Sequence, residues 1–199
     1  YGPYFKTVKN WSIRRTGLCL YHLAESCRIF SLPLHFRIFT RIKRMRKIEL
    51  LAPARDITAG KAAVDHGADA LYIGGPGFGA RHSAANTAED IARLVEYARP
   101  FGVRVFAALN TIVYGNELGQ AEKTARELIA AGVDALIIQD MAFLRMGLTG
   151  VEFHASTQMC NTSPEQVRFL QEAGFSRIIL ERGLTLMQIK DIRKATDVD

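Results

Sequence analysis

One phrase recurs along this chain and restricts its fold more than any other feature. It reads "HGADALYIG" at 66–74, "AAGVDALIIQ" at 130–139 and "EAGFSRIIL" at 172–180. Each copy is a helix end, a glycine, two or three residues and then an apolar run of strand type. Between the copies the period changes from two to 3.6. "TAEDIARLVEYARPFG" (87–102) puts Ile91, Leu94, Val95 and Ala98 on one helical face and Glu89, Arg93 and Glu96 off it. Strands are expected at 48–54, 70–75, 104–110, 135–140, 152–158 and 177–182. Helices are expected after each, with Asp56 and Ser163 as N-caps, Pro164 at the first helical position and Gly67 as a stop. Strand and helix in strict alternation demand right-handed crossovers and hence a parallel sheet covered by helices. The repeated unit favours a parallel (β/α) TIM-like barrel over an open doubly wound sheet, and no GxGxxG follows the first strand. A full barrel takes about 250 residues. Six βα units are legible, so the fold is expected to be an incomplete barrel, with two units following Asp199.

The charge is uneven. Residues 1–47 hold 11 Lys and Arg against one acid, Glu25, a net charge of +10; residues 48–199 hold 15 against 19, a net charge of −4. A pI near 9.4 is therefore no argument that the body binds nucleic acid. Residues 1–44 show neither period, and the first methionine is Met45, three residues before a clear strand. Three readings stay open for that segment: upstream sequence carried in frame, a basic arm for an anionic partner such as RNA, or a transit peptide. The domain reading is a basic, non-domain segment at 1–44 and the N-terminal part of a barrel at 45–199. Three cysteines, Cys19, Cys27 and Cys160, form no disulfide framework and fit a reducing, cytoplasmic setting. No run of 18 apolar residues exists, so no membrane span is expected.

In such barrels the chemistry collects at the C-terminal ends of the strands. There the chain places 53–55, the stretch "GGPGFGAR" (74–81), Asn110, Asp140, "HASTQMCN" (154–161) and 181–182. If 152–158 is one strand, Glu152, His154, Ser156 and Gln158 share a face, and Phe153, Ala155 and Thr157 share the other. The second set suits packing against helices, which turns the first into the lumen. A buried polar group without a partner costs roughly 1–3 kcal/mol, so a row of them implies a connected network or a bound ligand. A small polar molecule in the barrel is the expected ligand. Gly74 and Gly75 offer backbone N–H groups to a phosphate or carboxylate, with Arg81 adding charge, though a plain turn has the same composition. Asn110 and Asp140 suit ligands and loop caps equally. Cys160 and His154 suggest a nucleophile pair, but their spacing does not require contact. HExxH, GxSxG and P-loop patterns are absent, and no catalytic residue is assigned.

Together "IELLAPARD", "GADALYIGGPGFGAR", "VFAALNTIV" and "HASTQMCNTSPEQVRFLQEAGFSRIILERGLTL" resemble the collagenase-like peptidase family U32, in the family's order and spacing, from Met45 onward. The resemblance implies a TIM-like barrel. It implies hydroxylation of tRNA, ribosomal RNA or ubiquinone, or the peptidase activity of the family's name. It also implies an iron–sulfur cluster and dependence on prephenate in the full-length protein. The family's His-x-Ser-x-Gln motif falls on His154, Ser156 and Gln158, with a following Asn at Asn161; its glycine-rich stretch falls on Gly74, Gly75 and Arg81. Two departures stand out. Gly183 sits where the family often has Glu, and the Cys-rich signature lies outside these residues, so no cofactor is expected on this chain itself. Three functions are weighed: an RNA hydroxylation enzyme, a peptidase and a non-catalytic fragment. The neutral lumen set favours the first, with RNA as partner, and the chain alone is expected to be inactive.

Overall fold

The computed structural model describes residues 48–80 and 86–199. The chain divides into two units, Tyr1–Lys47 and Ile48–Asp199; the readings made for 1–44 and for Arg81 fall outside the described residues. The second unit is an incomplete α/β barrel. Six parallel strands lie in sequence order: β1 (Leu51–Ala54), β2 (Ala70–Gly74), β3 (Arg104–Leu109), β4 (Ala135–Ile138), β5 (Glu152–Ala155) and β6 (Arg177–Ile178). Neighbours pair in one continuous register, in which Ile73, Ala107, Leu136, Phe153 are linked strand to strand. Helices α1 (Ile57–Asp65), α2 (Ala88–Ala98), α3 (Leu118–Ala130) and α4 (Pro164–Ala173) return the chain between strands, and α5 (Leu186–Ala195) follows β6.

Local sequence explains the punctuation. Asp56, Thr87, Ser163 and Thr185 each accept a backbone N–H as N-cap, and Thr87 with Asp90 forms a capping box. The stopping glycine of each recurring phrase has a left-handed backbone, φ +90 at Gly67, +86 at Gly132 and +110 at Gly174, where a Cβ is strained. The strand that follows is then tied to its neighbour. Asp69 Oδ2 accepts Leu50 N–H at 3.0 Å, and Asp134 Oδ2 accepts Val105 N–H at 2.7 Å.

The sheet separates two apolar layers. Between sheet and helices lies the larger one, with Leu71, Ile73, Ile91, Leu94, Leu109, Leu128, Leu136 and Ile138 fully buried. Each such side chain contributes roughly 1.5–3 kcal/mol. The lumen side is small: Ala70, Phe106, Ala108, Ala135 and Ile137, joined by Leu51, Tyr72 and Ile179.

Several elements are shorter than the runs expected for them: β1 starts at Leu51 and β4 ends at Ile138, and three others depart further. The run 152–158 stops pairing at Ala155 and curls into a 3-10 turn, Thr157–Met159. The run 177–182 pairs only at Arg177–Ile178. The helix expected after β4 is a 3-10 turn, Met141–Arg145. In the first case Ser156 Oγ accepts Gln158 N–H at 3.2 Å, and this local bond competes with continuation of the strand.

Candidate functional site

The register sets His154 level with Ile137 on β4 and Arg177 on β6. His154 is fully buried, and its ring meets the Phe106 ring edge-on with centroids 4.7 Å apart. Its Nε2 lies 3.2 Å from Glu152 Oε2. Burial pushes the imidazole below its ordinary pKa of 6.5, against the pull of the Glu152 hydrogen bond and with help from the Arg177 charge. At neutral pH the ring is therefore neutral, and Nε2–H donates to the carboxylate. Nδ1 then carries a lone pair, buried and without a partner among the described residues. Burial works to raise Glu152, but hydrogen bonds from His154 and Ser176 prevail and hold it below its usual value.

This histidine belongs to a charged floor at the N-terminal ends of the strands. Glu49 Oε1 accepts from Arg177 Nη1 at 2.7 Å, and its Oε2 accepts from Arg177 and from Arg104. Both guanidinium groups lie over Phe106, 5.2 Å and 5.5 Å from its centroid. The Arg177 hydrogen bond holds Glu49 below the ordinary carboxylate range despite its partial burial. Glu49 lies two residues before β1, and Arg104 and Arg177 open β3 and β6, so the cluster crosses the lumen between the outermost strands. Sequence reasoning missed all three. A signal was present: Arg104 and Arg177 begin otherwise apolar strands and alternate with the lumen residues Phe106 and Ile179.

The opposite, C-terminal mouth holds the remaining expected residues, and the expectation of one lumen-facing row is corrected there. Ser156 is buried and caps the turn, whereas Gln158 is exposed on that turn. Gln158 reaches β4 through its backbone, whose carbonyl accepts from Gln139 Nε2 at 3.4 Å. Asn161 is fully buried; its Nδ2 donates to Ser156 O and Ile179 O, each at 2.8 Å, and its Oδ1 is buried without a partner among the described residues. It thereby staples the ends of β5 and β6. Asn86, which sequence reasoning overlooked, does the same between β1 and β2, donating to Arg55 O at 3.0 Å and Gly74 O at 3.4 Å. Asn110 Oδ1 accepts Ala80 N–H at 3.0 Å. Asp140 accepts Val113 N–H at 3.0 Å and Ala142 N–H at 2.9 Å. Both are thus loop caps, and no hydrogen bond joins them to His154, Ser156 or Gln158 among the described residues.

The glycine stretch is committed to the fold. Gly75 N–H donates to Ala108 O at 2.9 Å, and a Cβ there would stand 2.8 Å from Leu109 and 3.2 Å from Leu128. Phe78 and Ala80 also spend their N–H groups on Pro76 O and Asn110 Oδ1. Cys160 is exposed, with its sulfur 4.0 Å from Gln158 O; it makes no hydrogen bond to the buried His154. Among the described residues no three His, Cys, Asp or Glu are grouped to hold a metal. One cysteine there does not fit an iron–sulfur cluster, which takes about four. No helix of the described residues is long and apolar enough to cross a membrane.

The family model described as peptidase family U32 matches residues 55–199. The chain is 49% identical over 151 residues to the 23S rRNA 5-hydroxycytidine C2501 synthase of Escherichia coli, covering 76% of this chain and 23% of that protein. It is 33% identical to tRNA hydroxylation protein P1 of Bacillus subtilis, covering 77% and 37%. It is 30% identical to a collagenase of Porphyromonas gingivalis, covering 73% and 36%. The chain thus spans between about a quarter and two-fifths of these relatives' lengths. A solved U32 peptidase superposes with a TM-score of 0.64 at 14% identity over 77% of this chain and 67% of that one, a likeness of fold.

Proposed function

The chain belongs to peptidase family U32, and from that premise we propose that it is part of an RNA hydroxylation enzyme, with ribosomal RNA the favoured substrate and tRNA the alternative. The observation that carries this reading is the 49% identity to a 23S rRNA cytidine hydroxylation enzyme, against 33% to a tRNA hydroxylation protein. Such a substrate puts the protein in the cytoplasm. Among the described residues His154 Nδ1 and Asn161 Oδ1 are buried acceptors without a partner, one at the floor and one at the mouth, and each suits a donor carried by a small polar molecule. Gln158, exposed beside them in sequence, is free to contact substrate. The iron–sulfur cluster and prephenate remain part of the proposal, with the cluster's ligands supplied from outside the described residues. The peptidase reading has no nucleophile–base pair to rest on among the described residues.

A chimera tests this reading. Residues 48–199 replace the matching segment of the Escherichia coli synthase in a strain lacking that enzyme, and 23S rRNA is digested and weighed by mass spectrometry. We expect the chimera to restore 5-hydroxycytidine and the 199-residue chain alone to leave cytidine unmodified. A stable, abundant chimera that leaves C2501 unmodified overturns the proposal.

A further inference from the structure

We propose that the loop leaving β3 is a nucleobase platform, with Tyr114 as its stacking surface and Ile112 beside it. This inference rests on the RNA reading above. The loop emerges at the C-terminal mouth, where barrels work on their substrates. It is held from three sides. Thr111 Oγ1 donates to Phe78 O at 3.1 Å, Asp140 takes the Val113 N–H, and Glu117 Oε2 takes the Tyr114 N–H at 3.0 Å. Val113 is buried, yet the residues on either side of it are not: Ile112 is 57% exposed and Tyr114 is 67% exposed. Leu118, opening α3, adds a third apolar surface at 41%. A free tyrosine on a floppy loop would need no account. An aromatic ring displayed on a backbone fixed to two neighbouring strand ends is pre-organised for a flat partner.

Charge selects the partner. The segment "NTIVYGN" (110–116) carries no ionic group, so it has no charge with which to pair a phosphate. A base presents an uncharged π-face to an aromatic ring and tolerates an aliphatic neighbour. An enzyme that modifies a base must draw it out of its stack, and a rim aromatic that replaces the lost stacking lowers that cost.

The test uses the 199-residue chain and a single-stranded RNA oligonucleotide in which one base is 2-aminopurine, whose fluorescence falls on stacking. Titrations run at low salt and at about 0.5 M salt, where phosphate contacts, including any from the basic N-terminal segment, are suppressed. We expect quenching that persists in high salt, is kept by Tyr114→Phe, and needs about tenfold more protein in Tyr114→Ala. Ile112→Ala should have a smaller effect. The melting temperatures of these variants should match the parent, because both side chains are exposed. If Tyr114→Ala quenches like the parent, the platform is wrong while RNA binding stands. Binding that is lost in high salt and never quenches also overturns the platform. If the parent chain binds no RNA at either salt, both the platform and the RNA reading fall.

Discussion

At the floor of the half-barrel, charged side chains meet other side chains; at its mouth, polar side chains meet backbone. Glu49 and Arg177, 128 positions apart, bond across the lumen, and Phe106 lies beneath both guanidinium groups. Asn86, Asn110, Asp140, Ser156 and Asn161 instead hold loop and strand-end amides and carbonyls. The floor ties the segment before β1 to β3 and β6. The mouth secures loops, and what those loops leave uncovered, such as Gln158, Ile112 and Tyr114, is what a substrate meets.

The contrast can be broken most forcefully at Phe106. It is fully buried and shared by both arginines and His154, so Phe106→Ala should cost about 3–5 kcal/mol in chemical denaturation. A loss under about 1 kcal/mol would show that the floor is peripheral.

Glu49→Ala should cost about 2 kcal/mol, less than a fully buried pair because its carboxylate keeps some solvent. Arg177→Ala should cost more than Arg104→Ala, since their side chains are 17% and 39% exposed. The reverse order would place the weight of the cluster on β3.

Acid should reveal the same network in two stages. Below its ordinary value of 6.5, His154 takes up a proton in the unfolded chain before it does so in the folded one. Stability therefore falls as pH drops through that region. Below 4.5 the depressed Glu49 and Glu152 add a second decline, as their bonded carboxylates are protonated. Melting temperatures across pH should show His154→Gln losing the upper stage and Glu49→Ala weakening the lower. An unchanged profile in His154→Gln would mean the imidazole is not buried neutral.

At the mouth the effects are smaller. Asn161→Ala should cost about 1–2 kcal/mol through two carbonyls left without donors. Asn161→Asp should cost more, because a carboxylate would face those carbonyls. Equal losses would show that the staple is not formed through Nδ2. Gln158→Ala should alter stability by no more than about 0.5 kcal/mol yet reduce RNA hydroxylation in the chimeric synthase. Full activity would remove Gln158 from the site.

Much of the fold was legible because its signals are local. The period of Ile91, Leu94, Val95 and Ala98, the caps Asp56 and Ser163, and the stopping Gly67 and Gly174 act within a few residues, and each appears where the pattern put it. The candidate site was less legible. Alternation assigned Ser156 and Gln158 to the same face as His154, but the strand ends at Ala155, so the rule was carried past the residues it governs. Asn86 gave no signal, since an asparagine before a helix cap looks like any loop residue until two strand ends converge on its amide.

The sequence by itself determined the alternation of strand and helix, the parallel order that such crossovers impose, and the membership of family U32. Only the tertiary structure decided which polar residues meet. Glu49, Arg104, Phe106, His154 and Arg177 come from three strands and the segment before β1, and their pairing depends on how far the sheet curves around its lumen. That curvature is a sum over many packed side chains, and no short stretch of sequence encodes it.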